Sequence, residues 1–157
     1  MPSFRTTERI DHSADRMFAL VADVERYPEF LPLCTGLTVR SRRERGGREA
    51  LTATMSVGYK RIAETFTTQV ILNPGGRAID VQYIDGPFKY LTNEWRFEAV
   101  GENACDVHFF IDYEFRSRTL GLMMGGMFDR AFHMFVEAFR KRADALYGAP
   151  DGARASA

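Results

Sequence analysis

At 157 residues the chain has the length of one domain with a substantial core, burying about 70 % of its unfolded surface. Its 21 basic and 21 acidic residues cancel, which excludes a whole-chain field that would draw it to DNA; any nucleic-acid partner would need a local basic patch. The two cysteines, Cys34 and Cys105, exclude a disulfide framework and fit reduced thiols in a cytoplasmic protein.

The opening Met1-Pro2-Ser3-Phe4-Arg5 has no apolar segment of the kind a signal peptide needs, so no targeting leader is expected. Residues 4–10 alternate as a partly polar first strand. Ser13 is placed to cap a helix over 14–25, in which Met17, Phe18, Val21 and Val24 recur at helical spacing. Pro28 and Pro32 then break the chain into a short second helix around 29–31. Residues 37–41, 50–57, 61–72, 78–83, 90–99 and 106–116 read as six more strands. Gly46-Gly47, Asn73-Pro74-Gly75-Gly76, Asp85-Gly86-Pro87 and Gly101-Glu102-Asn103 supply the reversals between them, which predicts an antiparallel meander. No apolar run approaches the roughly 20 residues of a membrane-crossing helix, so contact with a membrane is expected to be peripheral.

A long amphipathic helix over 120–146 follows. Phe128, Phe132, Phe135, Phe139 and Leu146 fall on one arc, with Asp129, Arg130, His133, Glu137, Arg140, Lys141 and Asp144 opposite. Gly125-Gly126 interrupts its start, which predicts a kink, a close approach of backbone or a bending point. The tail 148–157, small and polar and broken by Pro and Gly, reads as disordered. No repeat is present.

One helix laid on a curved antiparallel sheet either fills its interface with its own side chains or encloses a cavity for an apolar molecule. On the second reading Phe128, Phe132, Phe135 and Phe139 line the space, with Met124 as an adaptable neighbour. Strand parity turns Trp95 and Phe97, then Phe109 and Tyr113, toward the helix. Leu31, Leu33 and Phe88, with Tyr27 and Phe30, sit beside prolines in short segments and are candidates for the mouth or a membrane-touching rim. Glu64 shares parity with Phe66, Val70 and Leu72; buried, it would be a neutral acid able to donate to a ligand carbonyl. Tyr113 and Asn93 are the alternative polar contacts.

Nothing converges on catalysis. His12 precedes a helix, His108 lies on the wet strand face and His133 on the helix's polar arc, and neither a metal-ligand spacing nor a phosphate-binding glycine loop occurs. Arg40, Arg42, Arg43, Arg45 and Arg48 crowd one hairpin, offset by Glu44 and Glu49. That hairpin is a solvated turn, a contact for anionic lipid headgroups, or a contact for ribosomal RNA phosphates.

The order of elements resembles the helix-grip fold, an α+β arrangement in which a curved antiparallel sheet of about seven strands wraps a long C-terminal helix, with two short helices after the first strand. Within it, Asp23-Val24-Glu25-Arg26-Tyr27-Pro28-Glu29-Phe30-Leu31-Pro32-Leu33-Cys34, Asp85-Gly86-Pro87-Phe88-Lys89-Tyr90-Leu91 and Asn93-Glu94-Trp95-Arg96-Phe97 resemble the coenzyme Q-binding (ubiquinone-binding) START-like family of the polyketide cyclase/START superfamily. The resemblance covers residues 3–147 and implies a single START-like lipid-binding domain. It implies a non-catalytic carrier or chaperone of ubiquinone or a related prenylquinone, with no catalytic cofactor, working at the inner membrane's surface in respiration or quinone biosynthesis. Bacterial members described as ribosome-association toxins imply a second job, a ribosome-binding translation inhibitor; a polyketide cyclase-like enzyme is the third. The chain shows no presequence like that of the mitochondrial members, which points to a bacterial cytoplasmic protein. Oligomeric state is left open.

Overall fold

The structure, a computed structural model, describes residues 3–59 and 61–148; the tail expected to be disordered lies outside them from residue 149 on. The element order is β1 (Ser3–Ile10), α1 (Ala14–Ala22), a 3₁₀ helix (Val24–Glu29), β2 (Cys34–Arg45), β3 (Arg48–Tyr59), β4 (Ile62–Asn73), β5 (Ala78–Asp85), β6 (Phe88–Ala99), β7 (Cys105–Phe115) and α2 (Arg118–Tyr147). The strands form one antiparallel sheet in the order β1-β7-β6-β5-β4-β3-β2. Only the pairing of β1 with β7 leaves the meander, in a register that sets Thr6 opposite Phe109. This is the helix-grip arrangement.

Local chemistry sets the boundaries. Ser13 Oγ accepts the Arg16 N–H at 3.1 Å and starts α1 where expected. Ser117 does the same for Leu120 at 3.1 Å, so α2 begins two residues before its apolar pattern does. The short second helix lies earlier than expected, at Val24–Glu29 rather than 29–31. Asp23 takes the Arg26 N–H at 3.1 Å directly after α1, which tightens the chain before Pro28. β2 and β3 run well past their apolar residues because Gly46 and Gly47, at φ 60° and 79°, make the two-residue turn that pairs Arg45 with Arg48. The arginine-rich segment is therefore paired strand with exposed side chains. Gly86, at φ 143°, is required twice over, since a Cβ there would sit 2.5 Å from that of Phe66.

α2 crosses the sheet above β7 and β1 and meets α1 near its end. Its wheel needs three corrections at that end. Leu146 is exposed, while Ala143 is buried and Tyr147 packs near His12, with ring centroids 6.0 Å apart. The last turns have left the sheet and lean on the β1–α1 connection, which takes a different helical face. Asp144, placed on the solvent arc by the wheel, instead sits 2.6 Å from Nε2 of His12, which is itself only 3 % exposed. Arg140 of the same arc is half-buried and pairs with Glu137 and with Glu8 of β1. Gly125-Gly126 does not break α2. A Cβ at either position would meet nothing within 4 Å, so close backbone packing is not what the pair serves, and nothing around it requires glycine.

The His12–Asp144 contact joins the first connection of the chain to its last helix. Replacing His12 by Ala is expected to lower stability by about 1–3 kcal/mol, the cost of an unmade buried hydrogen bond. Urea unfolding of His12→Ala, Asp144→Ala and the double variant measures this; single losses that simply add would show the two side chains to be energetically independent.

Candidate functional site

α2 covers only part of the sheet. Its aromatic ridge lies over β7 and β1, while β3, β4 and β5 curve round beside it, and a cavity remains between. The empty space, counted out through its mouth, is about 960 Å³, and the centre of a water molecule can range over about 100 Å³ of it, several times the roughly 10–15 Å³ that one water needs.

Phe128, Phe132, Phe135 and Phe139 form the helix side of this cavity with Ala131 among them. Ala131 is one turn from its neighbours on the same face, and its single methyl leaves the volume that a larger residue would fill. The ridge is fixed at both ends. Phe139 meets Trp95 edge-on at 5.2 Å and Tyr27 at 5.4 Å, and Phe128 packs on Phe115 at 5.3 Å and Phe88 at 5.9 Å. Leu31 and Leu33 close the side near the 3₁₀ helix, and Phe109 continues the β7 wall.

The expected site residues divide cleanly. Trp95, Phe109, Phe88, Leu31, Leu33 and the four ridge phenylalanines lie in the wall. Phe97, Tyr113, Met124 and Glu64 do not. Phe97 faces the right way but lies under α1, with Phe18 edge-on at 5.9 Å. Tyr113 is buried behind the ridge against Phe132 at 5.3 Å, and its hydroxyl pKa is pushed up to about 12 by burial. Met124, fully buried, packs one turn before the cavity begins. Glu64 has inward parity and faces Val57 across the strand pair, yet stays half-exposed at the strand's end, where the chain has left the core. Phe88 and Tyr27, expected at a rim, are buried: each is ringed by other aromatics, Phe88 by Phe66 at 5.3 Å and Tyr83 at 5.7 Å. Phe30 is half-buried and lies against Phe139 at 5.1 Å, under the Arg142 guanidinium.

Sequence reasoning missed the far wall. Ala53, Met55, Thr68, Val70 and Val81 of β3 to β5 line the space, and their alternation was readable, but nothing distinguished it from ordinary core. The wall residues include no His, Cys, Lys, Arg, Asp or Glu. Its polar groups are Tyr27, Thr68 and Asn93. The Tyr27 hydroxyl donates to the Val21 carbonyl at 2.5 Å, and burial pushes its pKa up, so it stays protonated. Asn93 donates to the Phe110 carbonyl at 2.8 Å and accepts the Trp95 indole N–H at 3.1 Å. Trp95 therefore both packs with its N–H satisfied and presents its ring to the cavity. Cys34, next to Leu33 of the wall, is held as a thiol, its pKa pushed up to about 11 by burial.

The histidines stand elsewhere. His108 lies 2.8 Å from the Thr7 hydroxyl and 3.1 Å from Glu98 on the outer face, and His133 packs tilted on Phe4, with ring centroids 4.1 Å apart. On the hairpin, Arg42 pairs with Glu25 and Glu49 and Arg40 donates to Thr54 at 2.8 Å, whereas Arg43, Arg45 and Arg48 extend into solvent.

Residues 10–140 match the family described as "Polyketide cyclase / dehydrase and lipid transport". The chain belongs to this family. Among its relatives, the Vibrio cholerae protein named ribosome association toxin RatA is 40 % identical over 139 residues, 88 % of this chain and 93 % of that one. The Dictyostelium discoideum protein named coenzyme Q-binding protein COQ10, mitochondrial, is 27 % identical over 144 residues, 90 % of this chain and 69 % of that one. An 18 kDa Caulobacter crescentus protein of known solution structure is 36 % identical, with a TM-score of 0.78 over 95 % of this chain and all of that one.

Ala131→Phe tests whether the cavity takes up molecules. The added ring occupies the gap in the ridge, so an apolar fluorescent probe is expected to bind the variant at least tenfold more weakly than wild type, with the fold retained by circular dichroism. Equal affinity would place the probe outside the cavity.

Proposed function

We propose that this member of the family is a non-catalytic carrier that holds ubiquinone or a related prenylquinone in the cavity between α2 and the sheet. The observation that carries the reading is the wall itself: aromatic and aliphatic, with the Trp95 ring exposed to the space and only uncharged polar groups in it. General acid–base work needs a titratable group within hydrogen-bond reach of the substrate, and the wall residues carry none that changes charge near neutral pH. A neutral flat ring suits such a lining, through offset or edge-on contact with Trp95, Phe109 and Phe139. Affinity comes from buried isoprenoid carbon at about 0.8 kcal/mol per methylene. The enclosed volume suits the ring and the first part of the tail; a long tail would leave through the mouth.

Delivery at a membrane surface fits the end of the molecule where α2 begins. There Leu122, Met123 and Ile84 are exposed, Leu122 to 83 %, beside exposed Arg116 and Arg118. Apolar side chains with flanking arginines suit the interface of an anionic bilayer. Among the described residues no helix is long and apolar enough to cross one. We place the protein in the bacterial cytoplasm, visiting the inner membrane from that side.

The hairpin favours a second reading. Arg43, Arg45 and Arg48 project exposed from a paired ribbon, with no carboxylate among the described residues within salt-bridge distance, and relatives at up to 40 % identity carry the name ribosome association toxin. Binding to ribosomal RNA through this ribbon would be electrostatic and would weaken with salt.

Two experiments separate these readings. Mass spectrometry of lipids extracted from the purified protein is expected to find a prenylquinone, and titration with a short-tailed ubiquinone is expected to quench Trp95, the single tryptophan. Uptake from ubiquinone-loaded vesicles should slow in Leu122→Asp/Met123→Asp while the final quench is unchanged. Absence of quinone from the extract together with an unquenched Trp95 would end the carrier reading. For the second reading, sedimentation with ribosomal subunits at low salt, lost in Arg43→Glu/Arg45→Glu/Arg48→Glu, is the expected result; co-sedimentation that the triple variant keeps would rule the ribbon out.

A further inference from the structure

Thr68 is the unusual member of the cavity wall. It lies on the inward face of β4 between Phe66 and Val70, is 6 % exposed, and lines the empty space. Among the described residues its hydroxyl has no hydrogen-bond partner, although its neighbours Thr54 and Thr67 pair with each other at 2.9 Å on the outer face. A valine has the same shape and would avoid the cost of taking a hydroxyl out of water. The hydroxyl faces the empty space and not a protein group, so the partner that bonds it there comes from outside the protein.

Asn93 is the second such group. Its amide spends one N–H on the Phe110 carbonyl, and its oxygen receives the Trp95 indole. One N–H of the amide is left over, and the residue lines the same space. The register relates the two positions. Asn93 is opposite Val81, Val81 is opposite Val70, and Thr68 is two residues along from Val70. Two strand spacings and one pleat separate the backbones by about 12 Å, and the side chains converge across the concave face.

We propose that Thr68 and Asn93 are the paired donors that read the ligand, selecting a ring that carries an acceptor oxygen on each of two opposite sides. Two para oxygens on a six-membered ring, each with a hydrogen bond of about 2.8 Å, span up to about 11 Å, a length that fits between backbones about 12 Å apart. Because Asn93 is in turn bonded to Trp95, the donor that holds one oxygen also fixes the indole that packs on the ring. The inference rests on the carrier reading for the quinone as ligand; the donor role of Thr68 stands or falls separately.

Thr68→Val and Thr68→Ser test it, with a one-isoprene ubiquinone, a long-chain methyl ketone and a hydrocarbon of similar length as probes of Trp95 fluorescence. Thr68→Val is expected to bind the quinone about tenfold more weakly, or about 1.4 kcal/mol, to bind the hydrocarbon as wild type does, and to melt at a higher temperature than wild type without ligand. Thr68→Ser should recover the quinone affinity. If the quinone binds wild type and Thr68→Val equally, the donor role is wrong and the carrier reading survives. Should only the ketone bind, with Thr68→Val weaker, the donor role holds and the quinone reading falls. Equal losses for quinone and hydrocarbon would make Thr68 a matter of shape alone, and binding of no probe would overturn both.

Discussion

The whole arrangement depends on an aromatic ridge of α2 that is clamped at its two ends and carries its smallest residue between them. Edge-on contacts of Phe139 with Trp95 and Tyr27 fix one end, and Phe128 against Phe115 and Phe88 fixes the other. Aromatic pairs of this kind add about 0.5–1.5 kcal/mol each beyond their buried area. Between the clamps stands Ala131, and across from it the sheet has curved away. The cavity is thus a consequence of where large side chains are spent: at the ends, where they hold the helix at a set distance, and in a ring around a small residue, where they face empty space. An interior of ordinary density would have collapsed onto that gap.

That geometry decides what kind of molecule the interior accepts. Every polar group in the wall is uncharged: a tyrosine hydroxyl already committed to a backbone carbonyl, an amide with one hydrogen to spare, and a threonine hydroxyl. A charged ligand would lose its hydration there without a counter-charge in return, at a cost no cavity of this lining offsets. The family's description names polyketide cyclisation, dehydration and lipid transport, and an apolar chamber of this kind suits molecules of that sort.

Much of this is legible in the chain, and the illegible part has physical causes. Period-two alternation in 90–99 and 106–116 and the phenylalanine spacing in 120–146 place the ridge, Trp95 and Phe109 correctly, because side-chain direction follows from strand and helix periodicity alone. Periodicity assigns a face; it does not say where along that face one packing partner stops and another begins. Phe97 has the same orientation as Trp95 but lies under α1, and Met124 has the same orientation as Phe128 but lies a turn outside the space. Leu146 obeys the wheel and is still exposed, since α2 has overrun the sheet by then. Glu64 likewise faces inward at a level where water still reaches it. Thr68 is hidden for a different reason: one of three threonines in its strand, it has the propensity of its neighbours, and only the empty volume beside its hydroxyl sets it apart.

The two jobs suggested by the relatives' names would draw on separate parts of one molecule. The cavity wall is neutral and buried, whereas the arginine ribbon is charged and exposed, and β2 and β3 carry both, with Leu37, Ala53 and Met55 in the wall and Arg43, Arg45 and Arg48 at the tip. Salt screens the tip, where charges stand in water, and leaves the wall untouched, where no charge stands at all. Tail length and ring oxygens matter to the wall and are invisible to the tip. A substitution in the ribbon that alters only nucleic-acid contacts and one in the wall that alters only ligand affinity therefore act on independent free energies unless the strands that join them move when the cavity fills. The register of β2 with β3 shifts between Val39 and Ser41, between the wall and the tip, and a bulge there breaks the strict alternation through which a displacement of wall residues would pass along the ribbon.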